Sequence, residues 1–343
     1  MFTHRLFTLF NTLTLDVRRT AKVLITAALL AILVITALPA QPAFATYPGQ
    51  NGRIAYGLFD RAAGAFLRYS ANPDGSHVQP LTNLAGFSNP DWSPDGTRIA
   101  IDFFDANGYV QIATAAPDGS NVQVLTSGPF ISEMPDWSPD GTQIVFDYSA
   151  TDPNLPGFST ALWVMNADGS NAHPLMAPEL GGFDVEPRWQ PTGGLITFVR
   201  IRKWLRGIQQ EAVFVVNADG TNPRQLTSWG LAPEHPTWSP DGKLIIFNDA
   251  SFNPFPIESI WTIKPDGSDQ HVLYQGTQHT GGVKPWFSPD GKKILFTCVT
   301  YGRAHTHTED LCIMNADGTG IVKITNTPGV FENIPSWGTA PLQ

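Results

Sequence analysis

Apolar residues in this chain come in short unbroken runs: Leu162-Trp-Val-Met165, Val213-Phe-Val-Val216, Leu244-Ile-Ile-Phe247, Ile294-Leu-Phe296 and Leu311-Cys-Ile-Met314. A strand with one wet face would alternate apolar and polar residues, so these runs predict strands covered on both faces. Turn signals stand between them in two interleaved series. The first follows an aromatic residue: Trp92 with Asp95-Gly96, Trp137 with Asp140-Gly141, Trp189 with Thr192-Gly193, Trp238 with Asp241-Gly242 and Phe287 with Asp290-Gly291, and Trp337 opens a sixth. The second is Asp74-Gly75, Asp118-Gly119, Asp168-Gly169, Asp219-Gly220, Asp266-Gly267 and Asp317-Gly318. Within each series the step is 44 to 52 residues, a period that signals an array or a propeller.

Each repeat parses as four strands. In the second they are 89–93, 97–103, 109–115 and 122–126, joined by tight turns at Pro94-Asp95-Gly96 and Pro117-Asp118-Gly119. Pro presets φ, Asp bonds its own following backbone, and Gly accepts the left-handed conformation. Stacked four-stranded blades cover both faces of every sheet, whereas a two-sheet sandwich leaves its outer faces polar. The first repeat starts at Arg53-Ile-Ala-Tyr56 without an aromatic strand before it, and an orphan aromatic strand closes the sequence at Ile334-Pro-Ser-Trp337. The expectation is therefore an all-β protein: a six-bladed β-propeller of four-stranded antiparallel blades, closed by the C-terminal strand completing the first blade.

Residues 1–45 fall outside this pattern. Arg18, Arg19 and Lys22 precede an apolar run from Val23 to Leu38, and Ala43-Phe44-Ala45 supplies a small-residue cleavage pattern. The segment reads as a signal peptide, with an uncleaved anchor as the alternative, and places the domain 46–343 in the periplasm or outside the cell. The formal net charge is −9, and removing the basic leader makes the rest more acidic. Such a domain repels nucleic acid and anionic lipid and favours basic partners; membrane contact is expected only through the leader. Cys298 and Cys312 are the only cysteines. Alignment of the sixth repeat with the second assigns them to opposite faces of a hairpin, which reads as two buried thiols, although an oxidising compartment permits a bridge.

The motif Pro-x-Trp-Ser-Pro-Asp-Gly followed by Asn-Ala-Asp-Gly recurs closely at 135–146, 162–175, 236–247 and 311–325. It resembles the PD40, or WD40-like, repeats of TolB-type β-propellers, and more loosely the propellers attached to prolyl-oligopeptidase-type enzymes. The resemblance covers essentially all of 46–343 and concerns the propeller domain alone. It implies the fold, and it implies partner-protein binding near the channel mouth. The stretch between Thr46 and Gly52 has no room for the α/β domain that precedes the propeller in TolB, and no Gly-x-Ser-x-Gly nucleophile motif occurs. Neither the Tol-Pal role nor peptidase activity carries over.

In such a ring all Asp-Gly turns fall on one face, where their uniformity marks them as framework. The opposite face carries the variable loops 148–160, 201–211, 249–259 and 300–310, and variable loops on a rigid ring make a recognition surface. Segments entering the inner strands place Glu133, Asp184, Glu186, Glu234, His235, Lys284, Glu332 and Asn333 around the channel mouth, a predominantly acidic rim suited to a basic peptide, an amine or a cation. Phe87, Phe130, Phe183, Trp229, Phe252, Phe255, Tyr301 and Phe331 lie in the same loops, either as contacts or as a satellite core. Arg200, Arg202, Lys203 and Arg206 around Trp204 form the one basic patch, read as a solvated loop. His305, His307 and Glu309 alternate so as to share one side, a candidate metal cluster if extended. The leading expectation is a monomeric, non-enzymatic binding propeller without cofactor, engaging a protein or cell-envelope polymer. The alternative is a channel-based, metal-dependent polysaccharide lyase using His235, His279 and the Glu133, Glu186, Glu234 group.

Overall fold

The turns form by the expected chemistry. Ser93 Oγ donates to Asp95 Oδ1 at 2.7 Å and accepts from Arg98 N at 2.9 Å, Asp95 Oδ1 accepts from Thr97 N at 3.0 Å, and Gly96 N reaches Ser93 O at 2.8 Å. Ser138 with Asp140, Ser239 with Asp241 and Ser288 with Asp290 repeat this arrangement. One oxygen of each aspartate is thereby committed to its own turn.

The computed structural model describes residues 49–60, 64–81, 89–150, 160–177, 182–205, 208–252, 256–302, 307–327 and 330–339, all within the compact unit Ala43–Gln343. The signal-peptide reading of 1–45 lies outside the described residues. In chain order the strands are β1 (Ile54–Asp60), β2 (Ala65–Ala71), β3 (Gln79–Pro80), β4 (Asp91–Trp92), β5 (Ile99–Phe104), β6 (Val110–Ala115), β7 (Gln123–Val124), β8 (Phe130–Trp137), β9 (Gln143–Ala150), β10 (Thr160–Asn166), β11 (His173–Pro174), β12 (Gly182–Trp189) and β13 (Leu195–Leu205). They continue with β14 (Ile208–Asn217), β15 (Arg224–Gln225), β16 (Pro233–Trp238), β17 (Ile245–Asp249), β18 (Ser251–Phe252), β19 (Pro256–Ile257), β20 (Ile260–Ile263), β21 (His271–Tyr274), β22 (Thr280–Phe287), β23 (Lys293–Tyr301), β24 (His307–Asn315), β25 (Val322–Lys323) and β26 (Val330–Trp337).

Antiparallel pairing follows the repeat. β4-β5-β6-β7 and β16-β17-β20-β21 are four-stranded sheets. β8-β9-β10-β11, β12-β13-β14-β15 and β22-β23-β24-β25 pair in the same order. The remaining set draws on both ends of the described chain: β26 pairs with β1, Trp337 opposite Ile54, and β1 continues to β2 and β3.

The core lies between sheets, as the two-faced apolar strands require. Trp92 packs with Ala55 of the preceding repeat, Trp137 with Ala100 and Ile112, Trp189 with Val145 and Leu162, Trp238 with Val213 and Val215, and Phe287 with Ile246 and Ile260. Trp337 and Ile54 join Trp286, Leu295 and Leu311 of the sixth repeat in the same way. The second turn series packs just as closely. Gly220 sits at φ +80°, and a Cβ there would strike the carbonyl oxygen of Leu175 in the preceding repeat. Gly75 is likewise pressed against Ile324, from the other end of the chain.

The cysteine expectation is corrected. In the β23–β24 register Phe296 faces Cys312 and Cys298 faces Asp310. The two cysteines are therefore offset by two positions, which makes them diagonal neighbours on one face. Their Cα atoms are 5.7 Å apart and they form a disulfide. The loop expected at 201–211 is also largely a hairpin, since β13 and β14 extend until Leu205 pairs with Ile208.

Trp337→Ala is expected to cost about 3–5 kcal/mol, as for other buried aromatic truncations, and to match Trp137→Ala within about 1 kcal/mol. Denaturant unfolding checks this; a near-neutral Trp337→Ala beside a damaging Trp137→Ala would show that the two interfaces are not equivalent.

Candidate functional site

Proline shapes the inner strands. Pro135, Pro187, Pro236, Pro285 and Pro335 each stand two residues before the aromatic anchor, where a proline supplies no ladder N–H. The strands absorb this with a register shift, between Glu133 and Asp136, Val185 and Arg188, Glu234 and Thr237, and Val283 and Trp286, with a matching shift opposite β26. The residue before each proline takes a left-handed conformation: Met134 (φ 55°), Glu186 (58°), His235 (52°), Lys284 (54°) and Ile334 (52°). A non-glycine residue held there costs about 1–3 kcal/mol unless its surroundings fix it.

The preceding repeat supplies that fixation. Asp102 Oδ2 accepts from Met134 N at 3.4 Å, Asp147 Oδ2 from Glu186 N at 3.1 Å, and Asn248 Oδ1 from Lys284 N at 2.9 Å. Asp102, Asp147 and Asn248 occupy one equivalent position in the second strand of their repeats. The fourth repeat has Val199 there, opposite Val185, and Glu186 Oε2 takes over, accepting from His235 N at 2.6 Å. Asp91 and Asp136 hold the backbone N–H groups of Trp137 and Trp189 at 2.9 and 2.7 Å.

The bulges bring Glu186 and His235 together, with Nδ1 of the histidine 3.2 Å from Glu186 Oε1. Burial, helped by Lys284 and Arg188, pushes the imidazole well below its ordinary value, so it is neutral. Burial and the neighbouring Glu234 push Glu186 up to about 7, against the pull of the His235 N–H, Arg188 and Lys284. The pair thus holds one titrating proton near neutrality.

Farther along the same strand, Arg188 Nε lies 3.8 Å from Asp136 Oδ1, and its guanidinium sits over the Trp286 ring, 5.4 Å from the centroid. One guanidinium therefore ties β8, β12 and β22. Burial lifts Asp136 to about 7, opposed by Arg188 and the Trp189 N–H. Burial also raises Asp91, reinforced by Asp136, and Asp147, reinforced by Glu133 and Glu186.

Glu258 and Glu309 extend this charged wall. Tyr301 Oη donates to Glu258 Oε2 at 2.5 Å, Asn248 Nδ2 donates to Glu234 Oε2 at 3.3 Å, and His307 Nε2 lies 3.3 Å from Glu309 Oε1. The Lys284 ammonium is lowered by burial and supported by Glu309, Glu186, Glu234 and Glu258.

The expected rim residues divide. Glu186, Glu234, His235 and Lys284 come together, and Glu133, raised by burial and by Asp102, stands beside Asp147. Asp184 is buried in a two-pronged ion pair with Arg200, at 2.6 and 2.8 Å. Glu332 is buried and accepts from Thr327 Oγ1 at 2.9 Å. Among the aromatics, Phe130 meets Tyr148, Phe331 meets His307, Trp229 meets Phe214 and carries Arg202 at 4.2 Å, and Phe183 is half-buried opposite Ile201. Arg200 and Arg202 are thus held by an ion pair and a ring rather than free in a loop. Phe87, Phe255, Arg206 and His305 lie outside the described residues, as do the side chains of Phe252, Lys203, Trp204 and Asn333. Among the described residues no three His, Cys, Asp or Glu side chains group closely enough to hold a metal, and His279 is exposed beside Gln278.

Sequence reasoning passed over Arg188, Glu258, Asp102, Asp147 and Asn248. The polar residue inside an otherwise apolar second strand was the available signal for the last three. A cavity of about 360 Å³ also opens between the second and third repeats, lined by Asp95, Arg98, Trp137, Asp140 and Asp168. Asp95, Asp140 and Asp168 each commit an oxygen to a turn, which makes that cavity part of the framework.

The PD40 family, described as the TolB beta propeller domain, matches residues 50–341. The Tol-Pal system protein TolB of Anaeromyxobacter dehalogenans (strain 2CP-C) is 38% identical over 180 residues, which are 51% of this chain and 37% of that relative. The chain therefore spans little more than a third of that curated relative's length. In structure, TolB from Acinetobacter baumannii superposes with a TM-score of 0.64 at 21% identity, covering 83% of this chain and 66% of the other. An oligogalacturonate lyase in complex with manganese gives 0.52 at 12% identity, covering 82% and 89%. These two likenesses concern fold alone.

Glu186→Gln isolates one proton. The folded carboxyl titrates near 7 and the unfolded one near 4.5, so the native state binds more protons in that window and stability falls as pH rises through it. Wild type is expected to lose on the order of 2 kcal/mol relative to Glu186→Gln between pH 4.5 and pH 8. Parallel urea titrations check this, and a constant difference across that range would refute the assignment.

Proposed function

This chain belongs to the TolB β-propeller domain family, and from that premise we propose that it forms a closed six-bladed ring, exported to the periplasm or beyond. There it acts as a non-enzymatic binding module for a basic segment of a protein or cell-envelope polymer. The observation that carries this reading is the wall formed by Glu186 and Glu234 on bulged inner strands together with Glu258, between β19 and β20, and Glu309 of β24. Two cations, Lys284 and Arg188, offset only part of its charge. Glu133 adds acidity beside it, while Asp184 and Glu332 stiffen the frame through their buried bonds. Phe130, Phe183, Trp229 and Phe331 support the loops around the mouth from beneath.

Closure is supported by the β26–β1 ladder and by the Trp337 cluster, which repeats the packing between the other neighbours. A rigid ring is the platform that irregular loops need for recognition. The curated relative is a Tol-Pal system protein, and partner binding in an envelope assembly suits an acidic exported ring. The lyase alternative rests on a shared fold, which hosts many chemistries.

Deleting residues 334–343 is expected to lower the melting temperature of the whole domain in one cooperative step; local fraying with an unchanged main transition would sink closure. For binding, a lysine-rich polypeptide should bind at low salt and weaken steeply as ionic strength rises. Glu234→Lys with Glu309→Lys should reduce its affinity at least about tenfold. Equal binding by wild type and the double variant would overturn the reading, and manganese-dependent cleavage of oligogalacturonate would favour the lyase.

A further inference from the structure

Three glycines stand around one glutamate. Glu258 lies between β19 and β20 of the fifth repeat, and its carboxylate crosses to β22 of the sixth. A Cβ on Gly281 would come within 2.4 Å of Glu258 Oε2, and one on Gly276 within 2.5 Å of the Glu258 carbonyl oxygen, to which Gly282 N donates at 2.9 Å. Gly281 pairs with Val299 inside a strand, so its missing side chain provides close approach rather than an unusual backbone. The equivalent residues, six before the anchors of the third, fourth, fifth and closing inner strands, are Ile131, Phe183, Ala232 and Phe331. In the sixth repeat the carboxylate of a neighbour takes the place of such a side chain. From the other side Tyr301 Oη donates to Glu258 Oε2 at 2.5 Å.

This cradle opens a continuous row on one face of the sixth sheet. Val299 lies opposite both Gly281 and Glu309, and Tyr301 lies opposite His307, so strand alternation puts Tyr301, His307 and Glu309 on the face against which the Glu258 carboxylate rests. The contacts agree: the Tyr301 and His307 ring centroids are 6.4 Å apart, His307 Nε2 is 3.3 Å from Glu309 Oε1, and the His307 ring is 4.9 Å from that of Phe331 in β26. Two half-buried carboxylates therefore flank an aromatic pair, with Glu258 held through Oε2 and Glu309 facing His307 through Oε1. A guanidinium draws its strength from two parallel bonds to both oxygens of one carboxylate, whereas an ammonium carries three donors that turn to single oxygens on separate groups. We propose that Glu258, set by Tyr301 and the Gly281 cradle, selects a lysine ammonium over an arginine guanidinium at the mouth. The inference rests on the binding reading above and narrows its basic segment to a lysine-bearing one. Glu258 is the residue that meets the ligand, and Tyr301 and Gly281 are positioning residues.

Calorimetry on the full-length protein with oligolysine and oligoarginine of equal length, at one low ionic strength, tests this. Oligolysine should bind at least about fivefold more tightly than oligoarginine. Tyr301→Phe releases the second oxygen of Glu258 and should bring the two affinities within about twofold of each other, with both ligands still bound. Glu258→Gln should weaken oligolysine about tenfold and erase the preference. Gly281→Ala, which drives a methyl group against the carboxylate, should reproduce the effect of Glu258→Gln in a domain that thermal melting shows to be folded. If that variant fails to fold, the ratio in Tyr301→Phe decides alone. A merely structural role for Tyr301 or Gly281 would weaken both ligands in parallel and leave their ratio unchanged.

Oligoarginine binding as tightly as oligolysine or more so, with both weakened in Glu234→Lys with Glu309→Lys, would overturn the proposal and leave the binding reading intact. A lysine preference that survives either Tyr301→Phe or Glu258→Gln would do the same. Silence from both peptides would remove the proposal and the binding reading together.

Discussion

An amide hydrogen turned out of its own sheet is the constraint on which the inner structure depends. Proline two residues before each aromatic anchor denies the strand a ladder bond, and the bulge that accommodates it leaves the N–H of Met134, Glu186, His235 or Lys284 without a partner inside its own sheet. A buried N–H left unpaired costs about 1–3 kcal/mol. The neighbouring repeat meets it with Asp102, Asp147, Glu186 or Asn248. The third, fourth, fifth and sixth sheets are thereby each registered against the one before by a hydrogen bond as well as by packing. The apolar contacts of Trp92, Trp137, Trp189, Trp238 and Trp337 supply most of the driving force; the polar links set the position.

This arrangement explains how a site arises on a framework of near-identical units. A bulge residue projects beside its neighbours' bulges, so whatever occupies that position in successive repeats becomes a cluster. In the third repeat it is Met134, and in the strand completing the first it is Ile334. In the fourth, fifth and sixth it is Glu186, His235 and Lys284. Substituting Val199 for the usual polar residue would leave the His235 N–H unmet, and Glu186 covers it, which draws that carboxylate into the site and buries it. The elevated proton affinity of Glu186 and the depressed one of His235 are consequences of the same burial.

Much of the fold was legible because its determinants recur. The aromatic anchors and Asp-Gly turns repeat at one spacing, and two-faced apolar strands admit few architectures. Glu133 and Asp184 were expected in segments leading into the inner strands, whereas the bulge lets β8 and β12 continue back to Phe130 and Gly182 and takes both residues into the sheet. The cysteines were assigned to the wrong faces because that reading depends on register, where a single-residue miscount inverts the answer. Of the site, Glu186, Glu234, His235 and Lys284 were visible as departures from a repeat. Glu258 and Arg188 were not, since one sits in a variable loop and the other beside an anchor tryptophan; only the folded chain brings Arg188 to Asp136 and Trp286.

Amide hydrogen exchange at the bulge residues tests the central claim most directly. If neighbouring side chains capture these N–H groups, the amides of Glu186 and Lys284 should exchange only with global unfolding. Asp147→Ala should then release Glu186 alone, and Asn248→Ala should release Lys284 alone, each by orders of magnitude. Fast exchange of both amides in the intact native protein would contradict the account.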